Sequence, residues 1–120
     1  MATYVQTSGD FDKLDPVARF EAQQELLSFL ERERMRLRPL HLHCHVKRLN
    51  APLGSNVLLR CALTLFAGKT RFHVVEEGFG AEAAVRNGVL ALRYQVERYL
   101  EMRIEAREKA EGRRALAAEG

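Results

Sequence analysis

The chain has 120 residues, the size of one domain, with 47% hydrophobic and 29% charged side chains, a globular composition that excludes a disordered or collagen-like chain. Lysine and arginine number 19 against 16 acidic residues, and a formal charge of +3 is too small by itself to imply nucleic acid. No window approaches the roughly 20 apolar residues of a membrane span, and the start Met1-Ala2-Thr3-Tyr4-Val5 has no basic or apolar signal region. Two cysteines without a Cys-x-x-Cys pair exclude a disulfide scaffold and a cysteine zinc knuckle, so the expectation is a soluble cytoplasmic protein with reduced thiols.

Taken in chain order, residues 3–7 alternate weakly and read as an edge strand, followed by a turn at Ser8-Gly9-Asp10. Asp15-Pro16 is a helix start, with Asp capping free N–H groups and Pro at the first helical position. Val17, Phe20, Leu27 and Leu30, with Leu26 beside them, predict the buried stripe of that helix. Glu21 and Glu25 come early, and Arg32, Arg34 and Arg36 late, an order that suits the helix dipole. Pro39 argues against continuation of the helix past about residue 37. Residues 40–49 alternate strictly, with Leu40, Leu42, Cys44 and Val46 on one face and His41, His43, His45 and Lys47 on the other. After a loop at residues 50–56, strands are predicted over 57–67 and 70–76, joined at Gly68-Lys69 as an antiparallel meander. Gly78-Phe79-Gly80 is expected to break the sheet. Ala81, Val85, Val89, Leu92, Val96, Tyr99 and Leu100 then form one helical stripe, in which Gly88 permits close helix–sheet packing.

The predicted fold is therefore α+β, in the order β-α-β-β-β-α, with two helices packed on one face of a four-stranded sheet. Residues 1–103 make the domain, and residues 104–120 a charged helical extension or flexible tail. The uncovered sheet face would carry the histidines, Lys47, Arg60, Thr64 and Arg71, with Leu58, Phe66 and Val75 among them. Charge is concentrated in the middle of the chain. Residues 34–73 hold eight basic side chains (Arg34, Arg36, Arg38, Lys47, Arg48, Arg60, Lys69 and Arg71), all four histidines and no carboxylate. Such a segment makes a local positive field suited to an anionic partner.

The stretch Leu59 to Glu77, with its short glycine turn, resembles the second hairpin of the ribosome hibernation promoting factors, also called ribosome-associated inhibitors. Phe79-Gly80-Ala81-Glu82-Ala83-Ala84-Val85 is similar to the start of that family's second helix, and Asp15-Pro16-Val17-Ala18-Arg19 to the start of its first. The resemblance covers residues 4 to about 103. The sequence departs from the family at Glu82 and Arg86, keeps only Arg93 and Arg98 as cations on the matching turns of the second helix, and is expected to be without the long-form dimerisation domain. The resemblance implies a short or divergent member and a non-enzymatic factor without a cofactor. Such a factor binds small-subunit ribosomal RNA near the decoding region and inhibits translation in idle cells. Its candidate RNA contacts here are the eight basic residues of 34–73 with Arg93 and Arg98. His41, His43, His45 and His73 are secondary, since imidazoles gain charge as pH falls toward about 6.

Two other readings compete. A protein-interaction module on the same scaffold would bind an acidic partner or self-associate through the open sheet face. A zinc site in the His41-Leu42-His43-Cys44-His45 run has suitable alternate spacing on a strand, and His73 on a neighbouring strand could add a ligand. It lacks any carboxylate nearby in sequence to orient the imidazoles, so a surface or anion-contact role is expected and no metal is assigned. Cys44 and Cys61 read as small core residues. Cys44 and its histidines point to opposite faces, so no nucleophile and base converge.

Overall fold

A computed structural model describes residues 4–34, 36–37, 40–49 and 57–119. The element order is β1 (Tyr4–Gly9), a 3-10 turn (Asp10–Lys13), α1 (Pro16–Glu33), β2 (Leu40–Arg48), β3 (Leu58–Ala67), β4 (Thr70–Phe79) and α2 (Ala81–Glu119). The strands lie in the order β1-β2-β3-β4. β1 runs parallel to β2, as a strand–helix–strand crossover requires, and the other two pairs are antiparallel.

Both helices cover one face of the sheet. Leu40, Leu42, Cys44 and Val46 of β2, Leu59, Cys61, Leu63 and Leu65 of β3, and Phe72 and Val74 of β4 are buried against them. Each fully buried Leu or Phe contributes roughly 1.5–3 kcal/mol relative to exposure. The α2 stripe is buried as expected through Val96, and Tyr99 and Leu100 pack at its margin. At Gly88 a Cβ would stand 3.0 Å from Leu63 Cδ1 and 3.5 Å from Cys61 Sγ, so the missing side chain lets α2 lie close on β3.

Asp15 caps α1 as expected, its Oδ1 accepting from the N–H groups of Val17 and Ala18 at 3.0 and 3.1 Å, which is worth about 1 kcal/mol. The buried stripe of α1 differs from the expectation. Val17, Phe20 and Leu27 are exposed, while Ala22, Leu26, Phe29, Leu30 and Glu33 are buried. The helix carries two apolar rows, and the one spaced i, i+4, i+7, i+8 is the one that meets the sheet. α1 ends at Glu33, within the expected bound of about residue 37, and one further turn follows with the Leu37 N–H donating to the Glu33 carbonyl at 2.9 Å. The proposed stop at Pro39 lies outside the described residues.

Two strand boundaries move. Ser8 and Gly9 belong to β1, and the turn comes after them. Gly9 has a φ of 71°, which only glycine adopts without strain, and it lies so close to the Val46 carbonyl that no Cβ fits. β4 continues through Phe79, because only Gly80, with φ 91°, leaves the extended conformation. α2 continues without interruption to Glu119, and its residues 101–113 are exposed. No helix among the described residues is long and apolar enough to cross a membrane.

Candidate nucleic-acid interface

The strand registers place the side chains of the uncovered face in rows. His41, Phe66 and Arg71 form one row across β2, β3 and β4; His43, Thr64 and His73 form the next. His45, Ala62 and Val75 follow, and then Lys47, Arg60 and Glu77. Of the predicted RNA contacts, this face thus gathers Lys47, Arg60 and Arg71 with all four histidines. Lys69 joins them from the turn between β3 and β4, where it is exposed. Glu77 is the one carboxylate in these rows, and Arg60 Nη2 lies 3.0 Å from it.

The histidines are held in place by hydroxyls. Ser8 Oγ lies 2.9 Å from His43 Nε2 and 2.8 Å from His45 Nδ1. One hydroxyl has one proton, so in this arrangement it donates to one imidazole and accepts from the other. Thr64 Oγ1 lies 2.9 Å from His73 Nδ1, and the His41 ring stacks on Phe66 at a centroid separation of 5.5 Å. Among the described residues, no group of three or more His, Cys, Asp or Glu side chains is placed to hold a metal ion. The cysteines are buried on the opposite face with their sulfurs 3.7 Å apart. The hydrogen bond to Cys61, with burial, pushes the Cys44 thiol far above its ordinary range, which suits an inert core residue.

The remaining candidates lie elsewhere. Arg34 is exposed at the end of α1 and pairs with Glu31 at 2.8 Å. Arg48 lines a cavity of about 530 Å³ at the end of the sheet, with Asp10, Lys13 and the start of α2. Its backbone N–H donates to Asp10 at 2.8 Å, which holds that carboxyl below its usual range. Arg93 and Arg98 are on α2, Arg98 lying 3.8 Å from Glu101, and Arg38 lies outside the described residues. The helix layer itself is partly acidic. Hydrogen bonding to Glu82 and repulsion from it raise the Glu21 carboxyl, and Arg86 stands between Glu25 and Glu82.

Arg36 has a different task. Its Nη2 lies 2.8 Å from both oxygens of Glu33, which is 2% exposed, and 2.7 Å from Glu97 Oε1 on α2. It therefore clamps the end of α1 to α2, and the carboxylates hold its guanidinium above its usual range, Glu97 first. Nothing in the composition singles out Glu33 as buried; only its place on the buried row of α1, four residues after Phe29, hints at it. Arg36→Ala leaves that carboxylate buried without its cation and is expected to cost about 2 kcal/mol. This is less than for a fully enclosed pair, because Arg36 is 40% exposed. A urea titration reads the loss. The Arg36 hydrogen bond also depresses the Glu97 carboxyl, so this support is present above the ordinary carboxylate range and lost as pH falls through the lowered value. The difference between wild type and Arg36→Ala should therefore shrink in acid.

No curated protein matches the chain. Among solved structures, the crystal structure of the Thermus thermophilus Protein Y N-terminal domain superposes with a TM-score of 0.58. At 18% identity it covers 82% of this chain and 99% of that one, a likeness of fold. The family described as hibernation factor Hib, C-terminal domain, matches residues 4–115, and the protein therefore belongs to this family of ribosome-associated hibernation factors.

Proposed function

We propose that this protein binds small-subunit ribosomal RNA near the decoding region through its uncovered sheet face, and there blocks the messenger and transfer RNA path in idle cells. It acts without catalysis and without a cofactor, in the cytoplasm where ribosomes are. The observation that carries the reading is one of placement. The carboxylate-free segment 34–73 puts Lys47, Arg60 and Arg71 on the one sheet face that no helix covers, with Lys69 at its edge. Cations so gathered neutralise phosphates and release counterions. Family membership supports the ribosome as the source of those phosphates. Arg34, Arg48, Arg93 and Arg98 are outlying contacts in this reading, and Arg36 is committed to its clamp.

The test is co-sedimentation of the purified protein with small subunits across a salt series. Binding that weakens steeply with salt, and that falls at every salt concentration in a Lys47→Glu/Arg71→Glu variant, supports the proposal. Absence of binding at low salt overturns it and returns the search to a protein partner. The exposed Val17, Phe20 and Leu27 on α1 would then be the first surface to probe.

A further inference from the structure

We infer that Phe66 is a stacking seat for an unpaired RNA base, flanked by His41 on β2 and Arg71 on β4. The inference rests on the proposed RNA-binding role of the sheet face and adds what that face recognises.

Phe66 is 38% exposed in the middle of a strand whose flanking Leu65 and Ala67 are buried. Its ring therefore serves no core. His41 stands directly across β2 from it, with the two rings 29° from parallel, and Arg71 stands directly across β4. The row is a flat aromatic pair with an exposed cation at its outer edge. Ala62 and Val75, two rows away, leave low relief on the same face, and His43 and His73 between them offer ring nitrogens oriented by Ser8 and Thr64.

Charge argues for the occupant. None of the side chains in the Phe66 and Thr64 rows is a carboxylate, and the adjoining turn adds Lys69. The face thus offers cations to a phosphate backbone around an apolar ring. In a duplex the base faces are already stacked on one another and cannot reach such a ring. A splayed single-stranded base can, and aromatic side chains on an open sheet are a general means of holding one. Glu77 lies at the opposite end of the face and is held by Arg60, so it does not repel a strand lying over Phe66.

The test uses the full chain with Phe66→Leu, which keeps an apolar side chain and removes the ring, and Phe66→Tyr, which restores a ring. Binding to a fluorescent oligouridylate and to a hairpin duplex is followed by anisotropy, binding to small subunits by co-sedimentation, and folding by thermal melts. Phe66→Leu is expected to melt like wild type and to bind the oligouridylate about tenfold more weakly with an unchanged salt slope. Phe66→Tyr should bind like wild type, and the hairpin should show no dependence on residue 66. Equal oligouridylate affinity in wild type and Phe66→Leu overturns the inference, as does a loss that Tyr does not restore, or no oligouridylate binding by wild type. The two readings fail separately. Small-subunit binding that survives Phe66→Leu but not Lys47→Glu/Arg71→Glu removes the stacking seat alone. Ring-dependent oligouridylate binding without small-subunit binding removes the ribosomal target alone.

Discussion

Gly78→Ala should destabilise the domain by about 3 kcal/mol and lower its melting temperature by roughly 10 °C. Gly78 lies on the helix-covered face of β4, opposite Leu59, and the first turn of α2 passes directly over it. A Cβ there would stand 2.6 Å from the Ala84 nitrogen and 2.8 Å from the Ala83 carbonyl carbon. Both are backbone atoms, and no rotamer change relieves the overlap. The alternative is to lift the start of α2. That movement strains the hydrogen bond from the Gly80 N–H to the Val57 carbonyl and the one from Asn87 Nδ2 to the Glu77 carbonyl, both 2.9 Å. It also opens the packing of Ala81, Ala84 and Val85, all buried. The same substitution at Gly112 has the opposite sign. No atom lies within 4 Å of a Cβ there, the helix is exposed, and alanine favours a helix over glycine by about 1 kcal/mol. The gain should appear as slower amide exchange over residues 105–119, with little change in the melting temperature. A Gly78→Ala protein as stable as wild type would mean that α2 is not seated on β4 in this way.

These contrasts mark what the amino-acid order discloses and what only folding adds. The strict alternation of residues 40–48 discloses both faces of β2, and the recurrence from Ala81 to Val96 discloses the buried stripe of α2. In each case one period dominates. In α1 two apolar rows compete, and periodicity cannot rank them. The choice depends on which row packs against α2 and β2, and it falls on Leu26, Phe29 and Leu30 rather than Phe20 and Leu27. The end of β4 lies beyond the sequence expectation because glycine reads as a breaker; Gly78 is in fact an extended residue where a helix comes close.

The candidate site is legible as a composition and not as a geometry. The absence of carboxylates over residues 34–73 marks a basic segment, yet the cations within it occupy separate environments. Lys47, Arg60 and Arg71 share the open face, Arg48 lies at the sheet end beside Asp10, and Arg36 closes the clamp with Glu33 and Glu97. Strand parity separates Lys47 from Arg48, but partners distant in sequence decide the rest. Glu97 lies 61 residues from Arg36, and no local pattern joins them. The row of His41, Phe66 and Arg71 likewise depends on inter-strand register, which a period of two leaves open.

The largest effects on ribosome binding should come from the charge of the open face, and they should run in both directions. Lys47, Lys69 and Arg71 are exposed cations at or beside that face, and replacing all three by alanine strips it of most of its positive charge. Removing one cation–phosphate pair should weaken binding roughly tenfold and flatten the slope of log affinity against log salt by somewhat under one. The triple alanine variant is therefore expected to bind on the order of a thousandfold more weakly near physiological salt, with its slope reduced by about two, and to melt like wild type. Glu77→Gln should act oppositely. Glu77 is the carboxylate of this face, and it holds Arg60 at 3.0 Å with both partners 45% exposed. An exposed pair of this kind contributes about 0–1 kcal/mol to stability, so its loss is tolerated by the fold. Removing the carboxylate charge frees the guanidinium for phosphate, and the slope should steepen as affinity rises. A gain in Glu77→Gln beside a loss in the triple variant ties binding to the field of this one face. If Arg34→Ala/Arg98→Ala weakened binding as much as the triple variant, the phosphate contacts would lie on the helices instead.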